Sequence, residues 1–565
     1  KLRKTVEDLE YALQNAIRFN GKANTNAVLG KVLKEYPEYK EVLKEIKDKL
    51  LKIIKEVNSL SLQEQKRNLE SIAPELLVEK HTERKNELPE LKNAKKGEVI
   101  MRFEPSPSGP LHVGHAYVLG LNSEYCRMYD GKMILRIADT NPKNIYEESY
   151  KLIVDDANWV TKGNISEVIV QSDRMSLYYE YMEQLIRVGG AYICNCEPEQ
   201  YKDLLIKSVA CPCRVLRSNE QLKRWEGMLS DYKQGSAVAR LKTELTHKNP
   251  AIRDFPLCRI IETPHPKQGR KYRVWPLMNL AVAVDDIESK VTHVIRAKDH
   301  YDNAIRQRYI FDYLKKPFPQ ALFVGRINFI GLLVSCSKTR PLIEDGTYRG
   351  WDDIRLPFLQ ALMKRGFQPD AFIKYSITVG VTLNDKTVSK EDFFKSIEAF
   401  NREIIEPISD RYFFIANPIK INIENAPKQN IELELHPDNK KGGRRFHTDK
   451  EFFIANDDFE KIKDNEIVRL MDCLNFVKNA NKFLFDSLEY LRFKGIGVLI
   501  IQWLPADEKI VDVEILMPDN SIISGIAENS VSKLRIGSIV QFTRFGFCRL
   551  DLISDNKFIF RFGHK

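Results

Sequence analysis

Residues 99–116 constrain the fold of this chain more than any other segment. Val99-Ile100-Met101 is an apolar run suited to a buried strand, and Pro105 to Pro110 cannot continue it. Ala116 to Tyr129 then carries apolar residues at helical spacing until Asp130-Gly131 stops them. Strand, turn and helix in that order make a cradle for nucleotide phosphate, because the free N–H groups and dipole of a helix start favour an anion. Gly109 and Gly114 are the candidate ATP contacts of this turn, Gly114 having no side chain to keep a flat base or ribose from the backbone. His112 and His115 stand one helical turn apart, so both imidazoles can donate to phosphate oxygens whose charge redistributes during attack on the α-phosphate. The same spacing also suits a metal pair or two incidental structural histidines.

At 565 residues the chain is too long for one core, and about three to five domains are expected. Lys plus Arg number 88 against 78 Asp plus Glu, a net charge of +10 that fits a polyanionic partner and many other soluble proteins equally. Clustering says more. Lys440, Lys441, Arg444 and Arg445 surround Gly442-Gly443, and Arg544 and Arg549 fall in an aromatic strand pair. Phosphate contact and a solvated loop are both open readings there. No apolar run is long enough to cross a bilayer and Lys1 to Glu10 is not a secretion signal, so a cytoplasmic protein, monomeric and without a membrane partner, is expected. The chain opens on Lys1 rather than Met, and a few residues are expected to precede it. Nine cysteines, five of them scattered singly, argue against a disulfide framework.

The fold expected is multidomain. Residues 1–95 read as a charged helical appendage, with stripes at Val6, Leu9, Leu13, Ile17 and at Val42, Ile46, Leu50, Ile53, Val57. Lys80 to Leu88 mixes both signs of charge without apolar spacing and reads as a solvated linker. Residues 96–185 alternate strands and helices, as the first half of a Rossmann-type α/β domain requires. Residues 186–273 break the alternation, and 274–337 resume it with Leu280-Ala281-Val282-Ala283-Val284 read as a buried strand. Helical spacing at Phe358, Leu359, Leu362 and Met363 marks a helical connector over 338–405. From 406 to 565 short alternating strands such as Ile419 to Ile423 and Ile510 to Leu516 indicate all-β barrels.

Arg-Phe-x-Pro-Ser-Pro-Ser-Gly-Pro-Leu-His-Val-Gly-His over 102–115 resembles the signature of class I aminoacyl-tRNA synthetases in its glutamyl and glutaminyl form. Leu135 to Pro142, Val291 to His300 and Gly350 to Pro357 resemble, in the same order, blocks of the archaeal-type glutamyl-tRNA synthetases. The resemblance implies activation of glutamate with ATP and Mg²⁺, then transfer to the 2′-hydroxyl of the terminal adenosine of tRNA. It makes 186–273 an acceptor-end insertion and 406–565 an anticodon-binding region. His112, His115 and Lys338 become the catalytic candidates, with Ser335 and Ser337 as further ATP contacts. Arg102 and Ser106 fall where similar enzymes bind glutamate, and Arg296 where an arginine pairs with its side-chain carboxylate; a structural ion pair is the other reading for both arginines. The RNA contacts implied are Lys440, Lys441, Arg444, Arg445 and Arg544, and the segments 540–551 and 558–565 resemble barrel endings of the same enzymes, their Phe residues read as core. Family members of this type often charge both glutamate and glutamine tRNAs. Gly21 to Val32 also looks like the helical tail module of tRNA-dependent amidotransferases, with an ordinary helical bundle as the alternative.

Three departures from the family pattern stand out. Ala138 replaces the acidic residue that holds the substrate ammonium, and Asp139 next to it should point to the opposite face of a strand. Met278 replaces a tyrosine, and Cys336 in Leu333-Val334-Ser335-Cys336-Ser337 replaces the second lysine of the other ATP loop, leaving Lys338 to supply the charge. Cys194, Cys196, Cys211 and Cys213 form two Cys-x-Cys pairs fourteen residues apart, suited to structural zinc or left as four buried thiols. A glutaminyl-tRNA synthetase, or a synthetase-like tRNA-binding protein without aminoacylation, are the alternative functions.

Overall fold

The computed structural model describes residues 3–19, 21–35, 43–73, 87–439 and 442–565. Val42, residues 80–86 of the proposed linker, Lys440 and Lys441 lie outside the described residues, as does the side chain of Val6. The chain divides into two units, Lys1–Glu87 and Leu88–Lys565.

The first unit is helical, with helices over Arg3–Arg18, Thr25–Glu35, Leu43–Ser59 and Leu62–Ile72. Ser61 and Glu64 form a reciprocal capping box that fixes the start of the last helix. Leu13, Val28, Val32, Leu50, Val57 and Leu69 make the core. Buried Gln65 ties the turns together by donating to the carbonyls of Gly21, Val57 and Leu60.

In the second unit Leu88, expected in a solvated linker, is buried with Leu91 against the core below the signature segment. Ile100–Phe103 (β1), Lys132–Ile137 (β2) and Glu167–Val170 (β3) pair in parallel in the order β1-β2-β3. The helices Val113–Met128 (α1), Ser149–Thr161 (α2) and Met175–Arg187 (α3) alternate with them. His293–Ala297 (β4) and Gln320–Val324 (β5) form a second parallel pair. Thr292, just before β4, donates its N–H to the carbonyl of Ile100 and accepts the Ile100 N–H on its hydroxyl. The order is therefore β3-β2-β1-β4-β5, and the switch between β1 and β4 is where a doubly wound sheet opens a ligand crevice.

Leu280 to Val284 is not a strand. It lies in the helix Met278–Glu288 (α4), where all five residues are buried. A helix enclosed on every side shows no polar face, so its apolar run cannot be told from a strand by periodicity. Val274–Pro276 pairs antiparallel with Pro256–Ile260 and closes a four-stranded sheet with Ala191–Cys194 and Val238–Leu241. The connector holds helices Cys336–Glu344, Leu359–Lys364, Pro369–Val379 and Lys390–Ile405, and also a strand, Lys386–Ser389, that pairs in parallel with Ile327–Ile330 of the preceding segment, a pairing that half-exposed four-residue strands do not announce in sequence.

The remainder is β, in two seven-stranded sheets and a hairpin. Asp410–Tyr412 and Phe414–Ala416 are opposite edges of one sheet, although only Phe413 separates them in the chain. Gly497–Ile501 and Leu504–Pro505 are opposite edges of the other, separated by Gln502 and Trp503. Sheets whose edges are joined so closely must curl nearly into barrels, which hides their edges. Phe542, Phe547, Phe558, Phe560 and Phe562 are buried core residues. Arg365 binds the terminal strand to the connector by donating to the carbonyls of Phe562 and Gly563.

Candidate active site

The signature turn is pinned from three sides before any substrate arrives. Asp156 of α2 accepts the N–H of Leu111 at 2.8 Å, Ser149 donates to the carbonyl of Pro107, and the Val113 N–H bonds to the carbonyl of Pro357. His112 is the N-cap of α1. Its Nδ1 accepts the N–H of Gly114 at 3.1 Å, and Nδ1 of His115 accepts the N–H of His112 at 3.4 Å. The two rings stack with centroids 3.8 Å apart. Because both Nδ1 atoms are acceptors, each neutral ring carries its proton on Nε2 as a donor. Burial, and for His112 also the neighbouring ring, lowers both pKa values, that of His115 to about 4. Two neutral donors, rather than two cations, therefore stand at the helix start near pH 7.

The glycines serve packing as much as ligand access. A Cβ on Gly114 would come within 3.0 Å of the His112 ring, so the space expected for a base or ribose is taken by that imidazole. A Cβ on Gly109 would lie 2.8 Å from both Cβ and Sγ of Cys336. Cys336 is buried, with its thiol on the carbonyl of Pro110, and so joins the two ATP-loop candidates instead of facing a phosphate. Lys338 is exposed two residues on and makes no ion pair among the described residues. The hydroxyls of Ser335 and Ser337 lie 3.3 Å apart at the same helix start, and Ser106 is exposed in the signature turn.

Beside the turn, the ends of β1, β2 and β4 bring together a buried charge cluster. Arg102 bonds both oxygens of Asp286, at 3.2 and 3.4 Å, and lies 3.4 Å from Glu104. Arg136 reaches Asp286 at 2.7 Å and Glu104 at 3.3 Å, and Arg174 reaches Asp285 at 3.1 Å. Arg296 differs from these in making no ion pair among the described residues, although Arg136 also leaves its Nε and Nη2 without a hydrogen-bond partner. The Nη1 of Arg296 donates to Gln307 at 2.9 Å, while its buried Nε and Nη2 have no partner among the described residues. Gln307 in turn donates to Asn279, and Asn279 to Asn303, so a chain of amides orients this guanidinium. Burial first, then Arg102, lowers its pKa to about 10. Glu104 and Arg136 lie within the 102–115 signature and the Leu135 to Pro142 block, but no spacing announces that they join Arg174, Asp285 and Asp286; the crossing of strands with α4 assembles the five.

Asp139 faces away from that cluster. It accepts from Ser172 at 2.7 and 2.6 Å and from Tyr150 at 2.7 Å, and His265 lies 3.4 Å away. It cannot substitute for an acidic group at Ala138, and Met278 lies 43% exposed at the start of α4.

Away from the cleft, the sulfurs of Cys194, Cys196, Cys211 and Cys213 all lie within 4.8 Å of one another, with closest pairs at 3.9 and 3.7 Å. Thiolates about 2.3 Å from a tetrahedral zinc would have nearly these separations. The Asn195 N–H and the Arg224 guanidinium donate to Cys213 Sγ, as partners of a metal-bound thiolate do. Of the basic candidates, Arg444 is corrected: its side chain is 4% exposed, paired with Glu528 at 2.6 Å and stacked over Phe413, so it holds the barrels and is closed to RNA. Arg445 is 75% exposed, and Arg544 is 39% exposed beside Asp458. Arg445 lines a cavity of about 290 Å³ with His447, Lys509 and Lys533.

Comparison with known proteins places this geometry. Residues 98–407 match the family model described as tRNA synthetases class I (E and Q), catalytic domain, and 409–484 and 500–551 match two anti-codon binding domain models of the same group. The glutamate–tRNA ligase of Pyrococcus furiosus is 42% identical, with 99% of each chain covered. Those of Thermococcus kodakarensis and Methanocaldococcus jannaschii are 43% and 40% identical, again over 99% of each chain. The chain belongs to the class I tRNA synthetases of the E and Q group and is an aminoacyl-tRNA synthetase.

Proposed function

We propose that this chain ligates glutamate to tRNA through a glutamyl-adenylate, as the names of its archaeal relatives suggest. The observation that carries the choice of amino acid is Arg296, a buried guanidinium that, unlike Arg102, Arg136 and Arg174, makes no ion pair among the described residues and keeps two nitrogens unpartnered. Among the described residues Arg102, Arg136 and Arg174 pair with Glu104, Asp285 and Asp286 while Arg296 pairs with no carboxylate, so the group is one negative charge short. Glutamate as a zwitterion carries one net negative charge and glutamine none, so glutamate completes the balance. An oxygen of its α-carboxylate attacks the α-phosphorus of ATP, and the bond to the pyrophosphate oxygen breaks. The Nε2–H groups of His112 and His115 stabilise the charge on the transferring phosphate, and Lys338 offers the fixed charge for departing pyrophosphate. Mg²⁺ bound with ATP would add neutralisation of the phosphates. The 2′-hydroxyl of the terminal adenosine then attacks the acyl carbon, and AMP leaves. Charging assays with labelled glutamate and labelled glutamine on unfractionated tRNA test this. Transfer of glutamate supports it; glutamine alone, or neither with tRNA still bound, overturns it.

Lys338→Ala is expected to slow tRNA-supported exchange of pyrophosphate into ATP about tenfold; an unchanged rate would remove Lys338 from the mechanism. The four cysteines are assigned to structural zinc, and Arg445 and Arg544 to the RNA backbone. Protein purified without chelator is expected to hold one zinc per chain, lost in Cys213→Ser. Four thiols freely titrating in native, metal-free protein would reverse that assignment.

A further inference from the structure

We infer that Glu104 holds the ammonium group of the amino-acid substrate. This rests on the ligase reading above and supplies the anion that a zwitterionic substrate needs. An α-ammonium entering a cleft lined by arginines would be desolvated among like charges unless a carboxylate faces it. Four carboxylates stand around the cleft, Glu104 and Asp139 beyond the ends of β1 and β2 and Asp285 and Asp286 on α4, and three are closed to a substrate. Asp139 points to the opposite face and accepts from Ser172 and Tyr150. Asp285 accepts from Gln171 at 2.9 Å and Tyr178 at 2.8 Å on Oδ2, its Oδ1 has the ion pair with Arg174 but no hydrogen bond among the described residues, and its 0% exposed side chain is closed to a substrate. Asp286 uses both oxygens on Arg102, takes Arg136 at 2.7 Å, and is 1% exposed.

Glu104 differs in access, and its pairing is looser than that of Asp139 and Asp286. Its side chain keeps 8% exposure, both arginine contacts are long, at 3.4 and 3.3 Å, and both fall on Oε2. Oε1 accepts only from Gln171, at 3.1 Å. A carboxylate oxygen has two lone pairs, so Oε1 retains one for a cation. The register Phe103↔Leu135, continued by one residue, sets Glu104 beside Arg136, and Ala138, just past the end of β2, offers only a methyl group. The Ala138 N–H bonds the carbonyl of Pro105 at 3.0 Å, which keeps the two strand ends together. Burial raises the Glu104 carboxyl above its ordinary range despite Arg102 and Arg136, a cost that a bound ammonium would offset.

The test is ATP–pyrophosphate exchange with tRNA present, comparing glutamate as substrate with glutarate as inhibitor, since glutarate has both carboxylates and no ammonium. Glu104→Gln is expected to raise the KM for glutamate about 10- to 100-fold, with the KM for ATP unchanged and inhibition by glutarate unchanged or tighter. Equal weakening of glutamate and glutarate would mean that Glu104 only orders the arginines, and the inference would fall; an unchanged KM for glutamate would also overturn it. Should Glu104→Gln not fold, Glu104→Asp retains the charge to Arg136 and is expected to raise the KM several-fold, with the same glutarate control. No exchange with glutamate by the unaltered protein would instead sink the ligase reading itself.

Discussion

Arg296→Leu is expected to raise the KM for glutamate at least about 100-fold in tRNA-supported exchange while leaving the KM for ATP unchanged. Removing one partner of a desolvated, hydrogen-bonded charge pair costs about 2–5 kcal/mol, because the other charge is left buried and unpaired. Here the group left unpaired would be the substrate's own carboxylate. The protein itself should tolerate the change, since among the described residues Arg296 forms no ion pair and its side chain hydrogen-bonds only Gln307. Its burial and its repulsion by Arg102 outweigh the attraction of Asp286 and Glu104, so losing this charge is a small cost to the fold. Discrimination between glutamate and glutamine should narrow in the same variant. A change in KM below about threefold would exclude Arg296 as the carboxylate receptor.

His112→Ala and His115→Ala should each lower the rate constant of adenylate formation by about 10²- to 10³-fold, the usual loss of one preorganised donor at a developing charge. The KM for glutamate should barely move, because its receptor is elsewhere. His112→Ala also removes an N-cap, about 1 kcal/mol of stability, so thermal unfolding should accompany the kinetics. The pH dependence separates neutral from charged imidazoles. Folding lowers both pKa values, so between pH 6.5 and about 4 the unfolded chain binds more protons than the folded one. The stability contributed by neutral His115 is complete above about 6.5 and is lost as pH falls through about 4. Exchange rates should then show no step centred near 6.5 that His115→Ala abolishes. Finding such a step would mean that a charged imidazole takes part.

The sequence reading reached the strand–turn–helix start, the paired histidines and the all-β ending because each rests on neighbours within about one turn or one strand. His112, Gly114 and His115 interact with each other and declare themselves by spacing. The four cysteines were legible in the same way, two short pairs whose sulfurs the hairpin and turn bring within 4.8 Å. Leu280 to Val284 misled because total burial erases the polar face that distinguishes a helix. Arg444 looked like an RNA contact because composition cannot tell a surface arginine from one paired with Glu528, 84 residues away.

The sequence by itself determined the strand–turn–helix start, the helical and all-β ends of the chain and the chemical class of the reaction, since these follow from contiguous residues whose backbone geometry is local. Only the tertiary structure decided which charges are spent and which are free. Glu104, Arg136, Asp286 and Arg296 come from three strands and a helix, and a carboxylate or guanidinium changes from structural pair to receptor through hydrogen-bond angles and a few ångströms of burial. Those distances are fixed by packing between distant segments, and no spacing along the chain encodes them.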